Sequence, residues 1–127
     1  FLIINEAELR HEIRDKLSST DVLIDKLIKI LKIDNLVITR GTNGAVFYNR
    51  KNNEKVYCPA FASKVVDKVG AGDAMLSVMS LLSKVDCDPM ISIFLGSLAA
   101  AQSVEKLNNS SNLDKKKMLQ YANYMMK

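Results

Sequence analysis

The residue pattern predicts a layered α/β fold, an incomplete and mainly parallel sheet flanked by helices. Three observations carry that expectation. Residues 1–4, 36–39, 45–48 and 55–58 are short apolar runs of strand length, rich in β-branched and aromatic residues. Between the first two runs lie stretches with helical rather than alternating spacing. Beyond Gly70 every periodic stretch is helical. The order strand, helices, strand, hairpin and helical tail belongs to layered α/β architectures. In such sheets ligands bind beyond the carboxyl ends of the strands, so the residues that follow each strand carry the functional interest.

Taken in order, residues 1–4 read as a buried strand ended by Asn5. Asn5-Glu6-Ala7-Glu8 opens a helix expected to reach about Leu17, with Asn5 as its N-cap. Residues 18–21 break that helix and cap the next, residues 22–33, whose apolar face is Leu23, Ile24, Leu27, Ile28 and Leu31. After a turn at Asp34 and Asn35, the strand 36–39 runs into the glycine-rich turn 40–44. Strand 45–48, the polar turn 49–53 and strand 55–58 read as a hairpin. Residues 59–66 are extended and lead to Gly70. A helix follows, then a break at 85–89 in which Asp88 caps and Pro89 takes the first position of a helix reaching about Leu107. Residues 108–112 are a loop. The last helix, 113–126, has Met118, Leu119, Tyr121, Ala122 and Met125 on its apolar face, where methionines fill core space.

The stretch with the most chemistry is Gly70-Ala71-Gly72-Asp73. An extended segment that breaks at glycines and turns into a helix leaves free N–H groups at the positive end of the helix dipole, a site for anions. Gly70, Ala71 and Gly72 would form that anion hole. Asp73 lies in the first turn, where the dipole favours a carboxylate, and can take a proton from an attacking hydroxyl. The pairing suits phosphoryl transfer. Two other glycine motifs are excluded: Met75 stands where a dinucleotide fingerprint needs its third glycine, and no Gly-Lys-Ser/Thr run exists. Read alone, these four residues describe a helix start with an acidic first turn.

The 127 residues suffice for one domain, with 48% hydrophobic and 25% charged residues. The net charge of +4 is concentrated in Lys115-Lys116-Lys117 and scattered lysines, with no arginine cluster or aromatic platform, so no nucleic-acid partner is expected. Cys58 and Cys87 lack metal-ligand spacing and read as free thiols in a reducing cytoplasm. His11 lies in a charged run and reads as surface. No run reaches transmembrane length, and no signal peptide is present, so no membrane partner is expected. Because Phe1 opens directly on an apolar strand, an upstream portion is expected to be missing, and the bared strand edge is expected to favour self-association into a homo-oligomer.

Asp67-Lys68-Val69-Gly70-Ala71-Gly72-Asp73, preceded by Asn5-Glu6-Ala7-Glu8 and by Thr39-Arg40-Gly41 with Gly44, resembles the motif set of the ribokinase-like (PfkB) carbohydrate kinases in order and setting. The resemblance covers the whole chain. It implies that residues 1–127 are the C-terminal, nucleotide-binding portion of a ribokinase-like layered fold, acting in ATP-dependent phosphorylation of a sugar or sugar-phosphate hydroxyl. A heptose-phosphate kinase, or a sugar kinase fused to a nucleotidyltransferase, is the type expected within the family. By the resemblance, Asp73 is the catalytic base. Thr39, Gly41 and Gly44 line the nucleotide site, with Ser97 by the adenine. Asn5 and Glu8 help place Mg²⁺, and Asp67 lies by the monovalent-cation position of some members. Lys68 departs from the family's threonine and bears on that cation. Without the sugar-binding half, the chain is expected to bind adenine nucleotide weakly and to show no appreciable sugar kinase activity. The competing expectation is a non-catalytic nucleotide-binding or interaction domain that keeps the fold.

Overall fold

A computed structural model describes residues 1–62, 70–105 and 113–125. The elements are β1 (Leu2–Asn5), α1 (Glu6–Ile13), α2 (Thr20–Ile30), β2 (Asn35–Thr39), a 3-10 turn (Gly41–Asn43), β3 (Ala45–Asn49), β4 (Glu54–Cys58), α3 (Ala71–Lys84), α4 (Pro89–Val104) and α5 (Lys115–Met125). The four strands form one sheet in the order β1-β2-β3-β4. The layered α/β class is as expected, but the mainly parallel sheet needs correcting. Only β1 and β2 pair in parallel; β2 with β3 and β3 with β4 are antiparallel. The connections 40–44 and 50–53 are the cause, since a parallel return needs a crossover of roughly a dozen residues.

The register sets up the site. Asn5 lies opposite Thr39, Thr39 opposite Ala45, and Ala45 opposite Cys58. The ends of β1, β2 and β4 and the start of β3 therefore share one edge, and the segments leaving it converge.

Strand alternation divides the apolar residues between two faces. Leu36, Ile38, Val46 and Tyr48 pack with Leu9, Leu23, Ile24 and Leu27 of α1 and α2. Val37, Ala45, Phe47, Val56 and Cys58 pack on the other side with Met75, Met79 and Ile93 of α3 and α4. Each large aliphatic side chain so buried is worth ~1.5–3 kcal/mol against exposure. At Gly96 the two helices of the second face pack tightly: a Cβ there would lie 2.5 Å from Met79 Cγ.

Several element ends differ from expectation, each for a local reason. α1 stops at Ile13 rather than Leu17, because Arg14 turns left-handed (φ 55°) and the Asp15 carboxylate accepts the N–H groups of Leu17 and Ser18 at 3.1 and 3.0 Å. α2 stops at Ile30, so Leu31, expected on its apolar face, is extended and exposed. α4 begins as expected, with Asp88 Oδ1 accepting from Met90 and Ile91 and Pro89 in the first position. α5 packs on α4, and of the expected face Leu119 and Tyr121 are exposed, Met118 is half-buried and Ala122 is buried, while the Met125 side chain lies outside the described residues. The loop expected at 108–112 lies outside the described residues. Cys58 and Cys87 are free, and among the described residues no helix is long and apolar enough to cross a membrane.

Candidate functional site

The start of α3 is built to leave backbone donors open. Gly70 sits at φ 85°, a left-handed conformation that glycine adopts without penalty. Among the described residues no side chain caps the helix, and its first backbone bond runs from Ala74 N–H to the Gly70 carbonyl at 2.9 Å. The N–H groups of Ala71, Gly72 and Asp73 precede that bond and have no partner within the helix. A Cβ on Gly72 would meet nothing within 4 Å, so the chain's own packing does not demand glycine there. What its absence preserves is room beside the donors.

Ala71 and Gly72 line a cleft of about 910 Å³ that lies over the shared edge of the sheet. Asn5, Glu8, Thr39, Gly41, Gly44 and Ser97 line it too. The cleft thus gathers residues that the sequence singled out from four separate segments. Gly70 and Asp73 do not line it; they flank Ala71 and Gly72, with Asp73 exposed in the first turn and its carbonyl accepting the Ser77 hydroxyl at 2.8 Å. Asp67 and Lys68 lie outside the described residues.

At the opposite helix start, Asn5 and Glu8 form a capping box. Asn5 Oδ1 accepts the Glu8 N–H at 2.8 Å, and Glu8 Oε2 accepts the Asn5 N–H at 3.2 Å. One oxygen of each side chain is thereby engaged. Among the described residues no three His, Cys, Asp or Glu side chains gather to hold a metal. Asn5 and Glu8 alone are too few oxygen donors to hold a divalent cation, so the set would suit one whose other ligands come from elsewhere.

Three charged cleft residues were not singled out from the sequence: Glu6, Arg10 and Arg40. Arg10 bonds Glu6 Oε1 at 2.5 Å and the Ser18 carbonyl at 2.8 Å, and Thr20 donates to the same carboxylate at 3.1 Å. Burial alone would raise the Glu6 carboxyl. The bonds from Arg10 and Thr20 outweigh it, and with the fields of Arg10 and Arg40 they hold the group below its ordinary value. Arg40 closes its turn by bonding the Asn43 carbonyl through Nη2 at 2.8 Å, and its guanidinium lies 5.9 Å from the centre of the Tyr57 ring. Gly44 completes the turn at φ 80°, where a Cβ would come within 2.0 Å of the Cys58 carbonyl.

Two polar atoms at the cleft are buried without a hydrogen-bond partner among the described residues: Ser97 Oγ and Arg40 Nε. Ser97 is only 8% exposed. Burial pushes the nearby Cys58 thiol up, and the Ser97 hydroxyl partly offsets this, but the two do not meet in hydrogen-bond geometry. Orphaned buried polar groups are uncommon in folded proteins and are costly unless something external completes them.

Residues 1–116 match the pfkB family carbohydrate kinases. The chain is 30% identical over 86 residues to the bifunctional protein HldE of Hahella chejuensis and 33% identical over 86 residues to that of Haemophilus influenzae, in each case 68% of this chain but 18% of the relative. Among solved structures it superposes on a ribokinase from Thermotoga maritima with a TM-score of 0.80 at 24% identity, covering 96% of this chain and 41% of that one. Phosphofructokinase-2 from Escherichia coli gives 0.81 at 19% identity, covering 98% and 40%. These structural likenesses establish the ribokinase-like fold. The chain spans less than half the length of the solved relatives and about a fifth of the curated ones.

Proposed function

The chain belongs to the pfkB family of carbohydrate kinases, and from that premise we propose that it supplies the nucleotide-binding and catalytic-base portion of an ATP-dependent kinase acting on a sugar or sugar-phosphate hydroxyl. The observation that carries the reading is the uncapped start of α3 on the wall of a cleft shared with Thr39, Gly41, Gly44 and Ser97. Backbone donors at Gly70, Ala71 and Gly72 would take the charge of the transferring phosphoryl group. Asp73, beside them, would accept the proton of the attacking hydroxyl. The turn at Thr39, Gly41 and Gly44 would hold the nucleotide, and the unpartnered Ser97 hydroxyl would meet its base. Asn5 and Glu8 would steady a Mg²⁺ through water, and the ion would supply positive charge against the phosphates. A monovalent cation by Asp67 belongs to the same proposal. So does self-association through β1, an edge strand of the sheet, which light scattering checks.

The reading is tested by titrating the chain with ATP and Mg²⁺ in a calorimeter, then assaying phosphoryl transfer over a panel of sugars and sugar phosphates. The assay is run on this chain and on the longest protein in which the sequence occurs. The expected result is nucleotide binding by the chain and sugar-dependent turnover only when a sugar-binding portion is present. Nucleotide binding with no turnover in the longest protein would favour a binding or interaction domain instead.

A further inference from the structure

Arg40 is the cleft residue whose position packing alone does not explain. A guanidinium carries five N–H donors in a planar fork. The structure engages Nη2 with the Asn43 carbonyl and rests the group against the Tyr57 ring. Nε is buried and unpartnered, and among the described residues Arg40 makes no ion pair. The carboxylate that feels its charge, Glu6, is already bonded by Arg10 and Thr20. The Tyr57 ring is itself held, because its hydroxyl donates to Asp21 in the first turn of α2. The guanidinium is therefore fixed in orientation before any ligand arrives, with spare donors at the cleft. Next to it, a Cβ on Gly41 would meet nothing within 4 Å, so the turn is open at that position.

We propose that Arg40 binds the non-terminal phosphates of the nucleotide, acting as a second anion anchor in the cleft while the α3 start receives the terminal phosphoryl group. This rests on the nucleotide-binding reading above and names a residue and a part of the ligand that the reading leaves open. The chemistry fits a diphosphate: its oxygens are spaced to accept from a planar fork, and a charge-assisted bond would satisfy the orphaned Nε. The cation–π contact with Tyr57 costs Arg40 none of those donors. A neutral nucleoside would gain nothing from it.

The test measures dissociation constants of the whole chain for adenosine, AMP and ADP with Mg²⁺, in the wild type and in Arg40→Gln and Arg40→Lys. Arg40→Gln is expected to weaken ADP by roughly tenfold while leaving adenosine within about twofold, and to flatten the salt dependence of ADP binding. Arg40→Lys, which keeps the charge but loses the fork, should fall between. Equal ADP affinity in wild type and a folded Arg40→Gln overturns the assignment of Arg40 and leaves the nucleotide reading standing. An equal loss for adenosine and ADP also overturns it, since that marks a purely structural arginine. If circular dichroism shows Arg40→Gln unfolded, Arg40→Lys decides, and wild-type ADP affinity there counts against the proposal. A wild type that binds none of the three ligands removes the nucleotide reading and this inference together.

Discussion

α1 and α3 both begin at the same cleft, and they begin in opposite ways. At α1 the donors are turned inward: Asn5 and Glu8 satisfy each other's backbone N–H groups. α2 and α4 likewise start under the side chains of Ser19 and Asp88. α3 starts on a left-handed glycine with no side-chain cap. A capped start stabilises the free protein by ~0.5–2 kcal/mol and offers little to an anion. An uncapped one forgoes that stability and keeps its donors for a ligand. The contrast divides the labour of the cleft: α1 brings carboxylates, suited to a cation's water shell, and α3 brings donors, suited to phosphate.

The strongest way to break this division is Asp73→Asn in a catalytically competent protein. Asparagine keeps the shape of the first turn but cannot take a proton, so turnover should fall by ~10²–10⁴-fold. ATP affinity should hold or rise slightly, because a negative charge near the phosphates is removed. Stopped-flow or coupled kinetics with a parallel binding titration measure both. Near wild-type turnover would reduce Asp73 to a helix-dipole partner and leave the glycines without a catalytic role.

The helix starts can also be exchanged in character. Gly70→Asp places a carboxylate at the open end of α3, and asparagine-like side chains tolerate the left-handed region. ATP affinity should drop by about tenfold from repulsion and competition for the N–H groups, with helicity unchanged. The mirror change, Asn5→Ala, opens the start of α1. It should cost ~1 kcal/mol in urea unfolding and lower ATP affinity far less. If Asn5→Ala weakened ATP as much as Gly70→Asp, the two starts would not differ in function as proposed.

How much of this the sequence carried depends on how local each signal is. The Asn5 cap, the Asp88-Pro89 start and the hairpin were legible because capping and turn chemistry act within a few residues. The end of α1 was not: Arg14 takes a left-handed conformation without being glycine, and the Asp15 carboxylate that organises the next turn is itself held by Lys26, on another helix. The apolar face of α5 was over-read, since helical spacing says which residues share a face and not whether anything covers it. At the cleft, the glycines and the Asn5-Glu8 pair stood out by spacing. Arg40 did not, because its platform, Tyr57, arrives from β4 through two turns of the chain. The buried state of Ser97 likewise depends on how α4 lies against the sheet.

The smallest effect concerns α2, the third helix whose first turn bears on the cleft, though at one remove. Asp21 accepts the Tyr57 hydroxyl, and that bond is the main reason the phenol is pushed up to about 12; burial and the charges of Asp21 and Asp25 add to it, and Arg40 opposes it. The folded value lies above the ordinary tyrosine value of ~10. The bond therefore contributes its full stability below pH ~10 and loses it as the pH climbs from there toward the folded value. Tyr57 is 47% exposed and solvent screens the pair, so the stability change is slight, but the titration is readable. The ultraviolet difference between wild type and Tyr57→Phe should show a phenol ionising near pH 12. Asp21→Asn should move that step down toward ~10, because the acceptor's charge and most of its bond are lost. A Tyr57 step already at the ordinary value in the wild type would mean that Asp21 does not hold the ring. The platform under Arg40 would then be loose, and the start of α2 would bear on the cleft only through the Thr20 bond to Glu6.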